Sequence, residues 1–260
     1  MRPVCVMNDL ETGFQNLTLS PVRVVAHSAD IFRKLCGLLH ELVHDVNLVF
    51  TERGLKIHSM DTCHVCFISL RIDAAYFKEY KVLRETIVGI KLETLVRVLG
   101  CVENDVVVEY HDDDLVIRSE DSLFSLKTLS LESEDMDVPD MVADVEIDAD
   151  AGVIQKYLKN MAMFGDTLRL FSKDDEVHMS TSGDIGLVNM KLQDQRVRIS
   201  GTLSASFATR YILTFAKAAN ISKRVLINIT NENPIHFKYQ FGENSWIQFY
   251  LAPKIDEEDD

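Results

Sequence analysis

The chain lacks any apolar run approaching the roughly 20 residues that a helix needs to cross a bilayer. Its first 20 residues also lack the basic-then-apolar order of a secretory signal, because Asn8, Asp9 and Glu11 interrupt them. Both absences favour an intracellular protein with no membrane partner, and the three N-x-S/T sequons at Asn16, Asn220 and Asn228 are read as chance. Glycine and proline are scarce, at 11 and 5 residues in 260, while 47% of the chain is hydrophobic, so it should fold rather than stay disordered. The five cysteines (5, 36, 63, 66 and 101) are odd in number, which in an intracellular chain favours reduced thiols. Cys63-His-Val-Cys66 has CxxC spacing, but it reads as part of a strand rather than a helix start, where a dipole would activate a thiol. No second ligand pair completes a zinc set. A Gly-rich phosphate loop, a Ser/His/Asp order and a paired metal motif are likewise missing, so we expect no enzyme, no cofactor and no metal.

Positive charge is in deficit as well. The chain has 27 Lys and Arg against 41 Asp and Glu, a net charge of −14. Taken alone, this argues against a nucleic-acid binder, whose domain is usually basic. Where the cations sit therefore decides more than how many there are.

What is present is mostly short alternating runs. Residues 47–58 and 105–118 each read as two apolar, β-branched runs around a turn, the hairpin pattern. Asp112, Asp113 and Asp114 beside His111 are read as a solvated turn rather than a metal site. Four segments instead follow helical spacing: 30–43, with Ser28 or Asp30 as cap, 92–101, 153–164 and 207–219. Two fall in each half, interleaved with strands, so the architecture repeats although residue identity between the halves is faint. Residues 128–144 are acidic, contain Pro139 and have no sustained period, as a connector would. The reading is an α+β fold of two similar domains, 22–127 and 145–260, joined by that connector and preceded by an extension, 1–21.

Opposite the apolar stripe of each helix lie basic residues: Arg33 and Lys34 (with His40), Arg97, Lys156 and Lys159, and Arg210 and Lys217. Steps of 3, 4 or 7 keep them on one face. Polar faces need charge for solubility anyway, but the recurrence on four helices of an acidic chain points to a positive lining for a polyanion. Phosphate contacts of that kind hold duplex DNA without reading its sequence and weaken with salt.

Several separated strings, Gly54 to Val65 (including Ser59-Met-Asp-Thr-Cys-His-Val65), Gly89-Ile-Lys-Leu92, Phe207 to Lys217 and Tyr250 to Ile255, occur in an order that resembles the proliferating cell nuclear antigen family. The resemblance runs from about Val22 to the C-terminus. It implies the DNA-clamp fold, three subunits closed head to tail with helices lining a ring, and a processivity factor for DNA polymerase placed on duplex DNA by a clamp loader. The site of action would be the nucleus, or a site of viral DNA replication. The seven basic residues become phosphate contacts. A pocket for a partner motif, a Gln followed by an aliphatic and paired aromatics, maps onto Met60, His64, Val65, Phe67, Met136, Val138, Pro139, Pro234, Tyr250, Ala252, Pro253, Lys254 and Ile255. Pro253 and Ile255 are expected to be exposed. Subunits would join through edge strands at 119–127 and 185–193, with Ser119, Phe124, Lys127, Ile185, Gly186 and Lys191 at the junction.

The chain departs from the family in four places. Residues 1–20 have no family counterpart in this reading, and Met136-Asp-Val138-Pro139 replaces the usual Leu-x-Ile before Pro. Asp174 stands at the regulatory lysine position, with Lys173 beside it, and Gly100 at a lining lysine position. The alternatives are a subunit of a heteromeric checkpoint-type clamp and a monomeric or dimeric viral processivity factor.

Overall fold

The computed structural model of the chain describes residues 20–103, 105–132, 142–192, 195–231 and 233–254. Period-two burial builds its strands. In β2 (Asp45–Thr51), Val46, Leu48 and Phe50 are buried while the residues between them face outward. The first half continues this way as β1 (Val22–Ala26), α1 (Ala29–His40), β2, β3 (Gly54–Met60), β4 (Cys66–Asp73), β5 (Glu79–Val82), β6 (Thr86–Lys91), α2 (Leu92–Leu99), β7 (Val106–His111), β8 (Asp114–Arg118) and β9 (Leu123–Lys127). The second half is β10 (Val145–Asp150), α3 (Ala151–Met161), β11 (Thr167–Lys173), β12 (Glu176–Gly183), β13 (Gly186–Lys191), β14 (Arg196–Ile199), β15 (Ser204–Ala208), α4 (Thr209–Ala216), β16 (Arg224–Ile229), β17 (Ile235–Gln240) and β18 (Trp246–Leu251). Each half is thus strand, helix, five strands, helix, three strands.

The sheets repeat in the same way. The order β5-β1-β7-β8-β9 in the first half matches β14-β10-β16-β17-β18 in the second, and β4-β3-β2-β6 matches β13-β12-β11-β15. One antiparallel pairing, β18 with β4, joins two of these sheets into nine strands that run across both halves. By the repeat, the counterparts of β18 and β4 are β9 and β13, and both of these are sheet edges.

The helices fall where the apolar periodicity places them, with shifted ends. Ser28 caps α1 by accepting the Asp30 amide, and the turn after His40 returns the Leu42 and Val43 amides to the Leu39 carbonyl, so the helix stops short of 43. Asp150 accepts the Val153 amide, which starts α3 at Ala151 despite Gly152. Phe207 belongs to β15 rather than to α4. Asp112 and Asp113 take φ of 44° and 66° and close the two-residue turn between β7 and β8, as the solvated-turn reading required. The CxxC differs from the expected strand: β4 begins only at Cys66, and Cys63 lies in the preceding turn.

Gly89 fixes where the connector begins. Its strand β6 is an edge of the nine-stranded sheet, and the Leu129 amide donates to the Gly89 carbonyl at 2.8 Å. A Cβ at position 89 would sit 2.2 Å from the Leu129 carbonyl oxygen, so only glycine permits this approach. Gly89→Ala should cost about 1–3 kcal/mol and unstrap residue 129. Hydrogen exchange at the Leu129 amide reads this directly, and unchanged protection there would refute the strap.

Candidate functional site

The four helices form one continuous set of contacts. α1 packs on α2, α3 on α4, and the 3₁₀ turn Lys217–Asn220 after α4 reaches α1, where Lys217 pairs with Glu41 across the halves. All seven predicted lining residues are exposed, but they are not equivalent. Arg33 and Lys34 both bind Asp30, at 2.8 and 2.7 Å, and Arg97 binds Glu93 at 2.6 Å. Among the described residues Lys156 and Lys159 on α3 make no ion pair, and the Arg210 guanidinium lies 4.9 Å above the Tyr211 ring. Asp30 neutralises only one of its two partners, so α1 keeps one net positive charge, α3 carries two and α4 one. Exposed pairs are worth at most about 1 kcal/mol, so those on α1 and α2 hold their cations only weakly.

The loop between β3 and β4 is built around a buried carboxylate. Asp61 Oδ1 accepts the Val65 and Cys66 amides at 2.9 and 2.8 Å, and Oδ2 accepts the Tyr211 hydroxyl at 2.6 Å and the Cys63 amide at 3.4 Å. Burial pushes the Asp61 carboxyl up, but these donors outweigh it and hold it below the ordinary carboxylate range. The same loop turns at His64, which takes φ of 56°. Sequence reading missed this pair, since both residues entered it only within the strings Phe207 to Lys217 and Gly54 to Val65. The partner of a buried Asp becomes visible only when β4 and α4 meet in space.

Register brings three predicted pocket residues, Met60, Phe67 and Tyr250, near one another, with His236 beside them. Met60 faces Phe67 across β3 and β4, Phe67 faces Tyr250, and Tyr250 faces His236 on β17. The Phe67 and Tyr250 rings lie 5.7 Å apart, and His236 stacks on Tyr250 at 4.5 Å. Burial, then Lys238, pushes the His236 pKa down to about 4, so that imidazole is neutral at pH 7. His236 and His58, whose ring lies 5.8 Å from Phe67, are strip residues that the sequence reading did not name. Beside the strip an open groove of about 770 Å³ is lined by His58, Met60, Thr62, His64, Ile87 and Leu131.

The chain end is tied down beside this strip. The Ala252 amide donates to the Val65 carbonyl at 2.9 Å, and the Lys254 amide donates to the Ser206 carbonyl at 2.7 Å. Lys254 Nζ also donates to Thr167 Oγ1. Pro253 is half-buried rather than exposed, because these bonds hold its two neighbours against Val65 and Ser206. Phe67 and Tyr250 are buried and act as floor, whereas His64 and Lys254 are exposed and Met60, Val65, Pro234 and Ala252 are intermediate. Met136, Val138, Pro139 and Ile255 lie outside the described residues.

Of the predicted junction residues, Phe124 and Lys127 lie on β9 and Gly186 and Lys191 on β13, while Ser119 and Ile185 fall before those strands. β9 starts at Leu123 rather than 119, because Ser119 opens a turn in which its amide donates to the Ser122 carbonyl. Phe124 is half-buried and packs on the core, and Lys127 binds Asp114 at 2.6 Å. On β13, Gly186 takes φ of 137° and Lys191 pairs with Glu176. Leu123 on β9, Ile185 just before β13 and Leu187 on it are 48%, 70% and 70% exposed, apolar groups at open edges.

The sequence matches the family description "Proliferating cell nuclear antigen, N-terminal domain" over residues 23–150, and the corresponding C-terminal domain over 137–254. It is 46% identical over 255 residues to the probable DNA polymerase sliding clamp 2 of Paramecium bursaria Chlorella virus 1, covering 96% of this chain and 97% of that one. Only about ten residues fall outside this alignment, so part of the first 20, for which no counterpart was expected, is matched there. Identity to the proliferating cell nuclear antigen of Caenorhabditis elegans is 25% over 253 residues, covering 89% and 96% of the two chains. The crystal structure of proliferating cellular nuclear antigen from Entamoeba histolytica superimposes with a TM-score of 0.84 at 25% identity, covering 91% of this chain and all of that one.

Tyr211→Phe removes the hydroxyl bond to Asp61 but keeps a ring under Arg210. A hydrogen bond to a charged group contributes about 1.5–3 kcal/mol, and a loss of that order is expected in urea unfolding at pH 7. A carboxyl held below its ordinary value of 3.8 contributes stability above that pH and loses it as pH falls further. The difference between wild type and Tyr211→Phe should therefore shrink below pH 3.8. A difference independent of pH would remove the carboxylate from the account.

Proposed function

The chain belongs to the proliferating cell nuclear antigen family and functions as a DNA sliding clamp; from that premise we propose that three copies close head to tail around duplex DNA. One observation carries this reading. The β18–β4 pairing inside the chain joins two repeats, and β9 and β13 are the equivalent strands left open at its two ends. Pairing β9 of one copy with β13 of the next repeats the internal junction and leaves neither of these two edges open when the ring closes. Each chain carries both halves of the junction, which favours a homomeric ring over a heteromeric one.

In this ring the helices face inward. Lys156, Lys159 and Arg210 supply the phosphate contacts that are free at the outset, and Arg33, Lys34, Arg97 and Lys217 supply those released from carboxylates. The clamp binds rather than catalyses. The strip formed by Met60, Phe67 and Tyr250, with Val65, Pro234, Ala252 and Pro253 around it, receives the anchor motif of DNA polymerase and other partners, and a clamp loader opens the ring. It acts where DNA is replicated, in the nucleus or at a site of viral replication.

Light scattering should give a mass near three times the 29.5 kDa chain, stable to dilution. Leu187 is 70% exposed in the single chain, so Leu187→Asp should leave the fold intact and shift the mass to that of one chain. An unshifted mass would refute the β9–β13 junction. Lys156→Glu with Lys159→Glu should leave the mass unchanged and lower the log–log salt slope of duplex binding by about two. An unchanged slope would remove α3 from the lining.

A further inference from the structure

Below the docking strip, residues on the same face of the same four strands continue in rows, with Ser69 and Gln248 buried among them. The next row is His58, Ser69, Gln248 and Lys238, and the one beyond it is Lys56, Arg71, Trp246 and Gln240. Lys56, Arg71 and Lys238 make no ion pair among the described residues, in a chain whose net charge is −14 and most of whose sheet cations are paired. The Lys238 ammonium lies 5.8 Å from the ring of Trp246, the chain's single tryptophan. Arg71, Lys238 and Trp246 line a recess of about 240 Å³ with Gln240, Asn244 and Glu243.

We propose that this patch binds an acidic segment of the same partner protein whose anchor occupies the docking strip. The inference rests on the docking reading above and adds a second recognition element to it. The patch continues the strip along the same strands: at about 3.3 Å per residue, Lys238 lies about 7 Å and Arg71 about 13 Å from the Phe67 row. An extended chain leaving the strip therefore reaches the patch about two to five residues beyond its anchor. Charge decides the occupant. Three cations without counter-ions take up a few carboxylates, each desolvated only in part. A long polyanion is disfavoured, because Glu243 borders the patch and Glu85 the adjoining groove, and the chain as a whole repels it.

Trp246 makes the test direct in the full-length protein. The probes are peptides containing a Gln, an aliphatic and paired phenylalanines, flanked on one side or the other by four Asp/Glu or by four Ser. An acidic flank on one side should tighten binding about tenfold at low salt and change Trp246 emission. Both effects should vanish in Lys56→Glu/Arg71→Glu/Lys238→Glu, which should bind the Ser-flanked peptides as wild type does. The milder Lys56→Gln/Lys238→Gln should lose part of the gain, which guards against misfolding of the triple variant. Equal affinity for acidic and Ser flanks on both sides overturns the proposal. It is also overturned if a single-stranded oligonucleotide changes Trp246 emission and displaces the acidic flank, or if removing residues 255–260 alone changes that emission. Failure of every peptide, Ser-flanked ones included, removes the docking reading and this inference with it.

Discussion

Everything functional in this chain depends on the antiparallel pairing of β18 with β4. It makes one nine-stranded sheet from two repeats and brings the last strand of the chain against a strand of the first half. Phe67 and Tyr250 become neighbours only through that register, and the loop after β3 reaches Ala252 only because β18 ends beside it. The Asp61–Tyr211 bond then ties the loop after β3 to α4, and the Glu41–Lys217 pair ties the end of α1 to the turn after α4. In the proposed assembly the same pairing is repeated between copies by β9 and β13.

Ring closure relaxes the demand on electrostatics. A protein held on DNA by contacts alone needs many strong ones, and strong contacts resist sliding. Here the chain is acidic overall, and several helix cations are already paired with carboxylates on their own helices, two of them sharing the single Asp30. Weak, exchangeable phosphate contacts are sufficient when topology prevents escape, and they let the ring move along the duplex.

Much of this was legible in the sequence. Helical spacing located all four helices, because burying Leu35, Leu39, Ile154, Leu158, Ile212 and Phe215 demands it. The repeat of two helices per half was visible as well, although the matching sheet orders were not, since strand pairing depends on partners far apart in the chain. Ser28 was among the two caps named for α1, whereas the start of α3 was placed too late because the cap at Asp150 was not recognised. Pro253 was read as exposed because an acidic tail follows it, whereas hydrogen bonds of its neighbours to Val65 and Ser206 draw it inward. The unequal state of the seven cations was also hidden, since it depends on Asp30, Glu93 and Glu41 lying within reach. Nor did any local pattern show that Lys56, Arg71 and Lys238, from three strands, share one face.

The central claim is a topological one, that the protein stays on DNA because it encloses it. The most direct measurement is retention of the clamp on a circular duplex after loading and removal of free protein, before and after a single cut of the circle. The account predicts persistent retention on the circle and rapid loss once ends exist, with slower loss when the ends are blocked by a bulky protein. Equal dissociation from circular and linear DNA would contradict it.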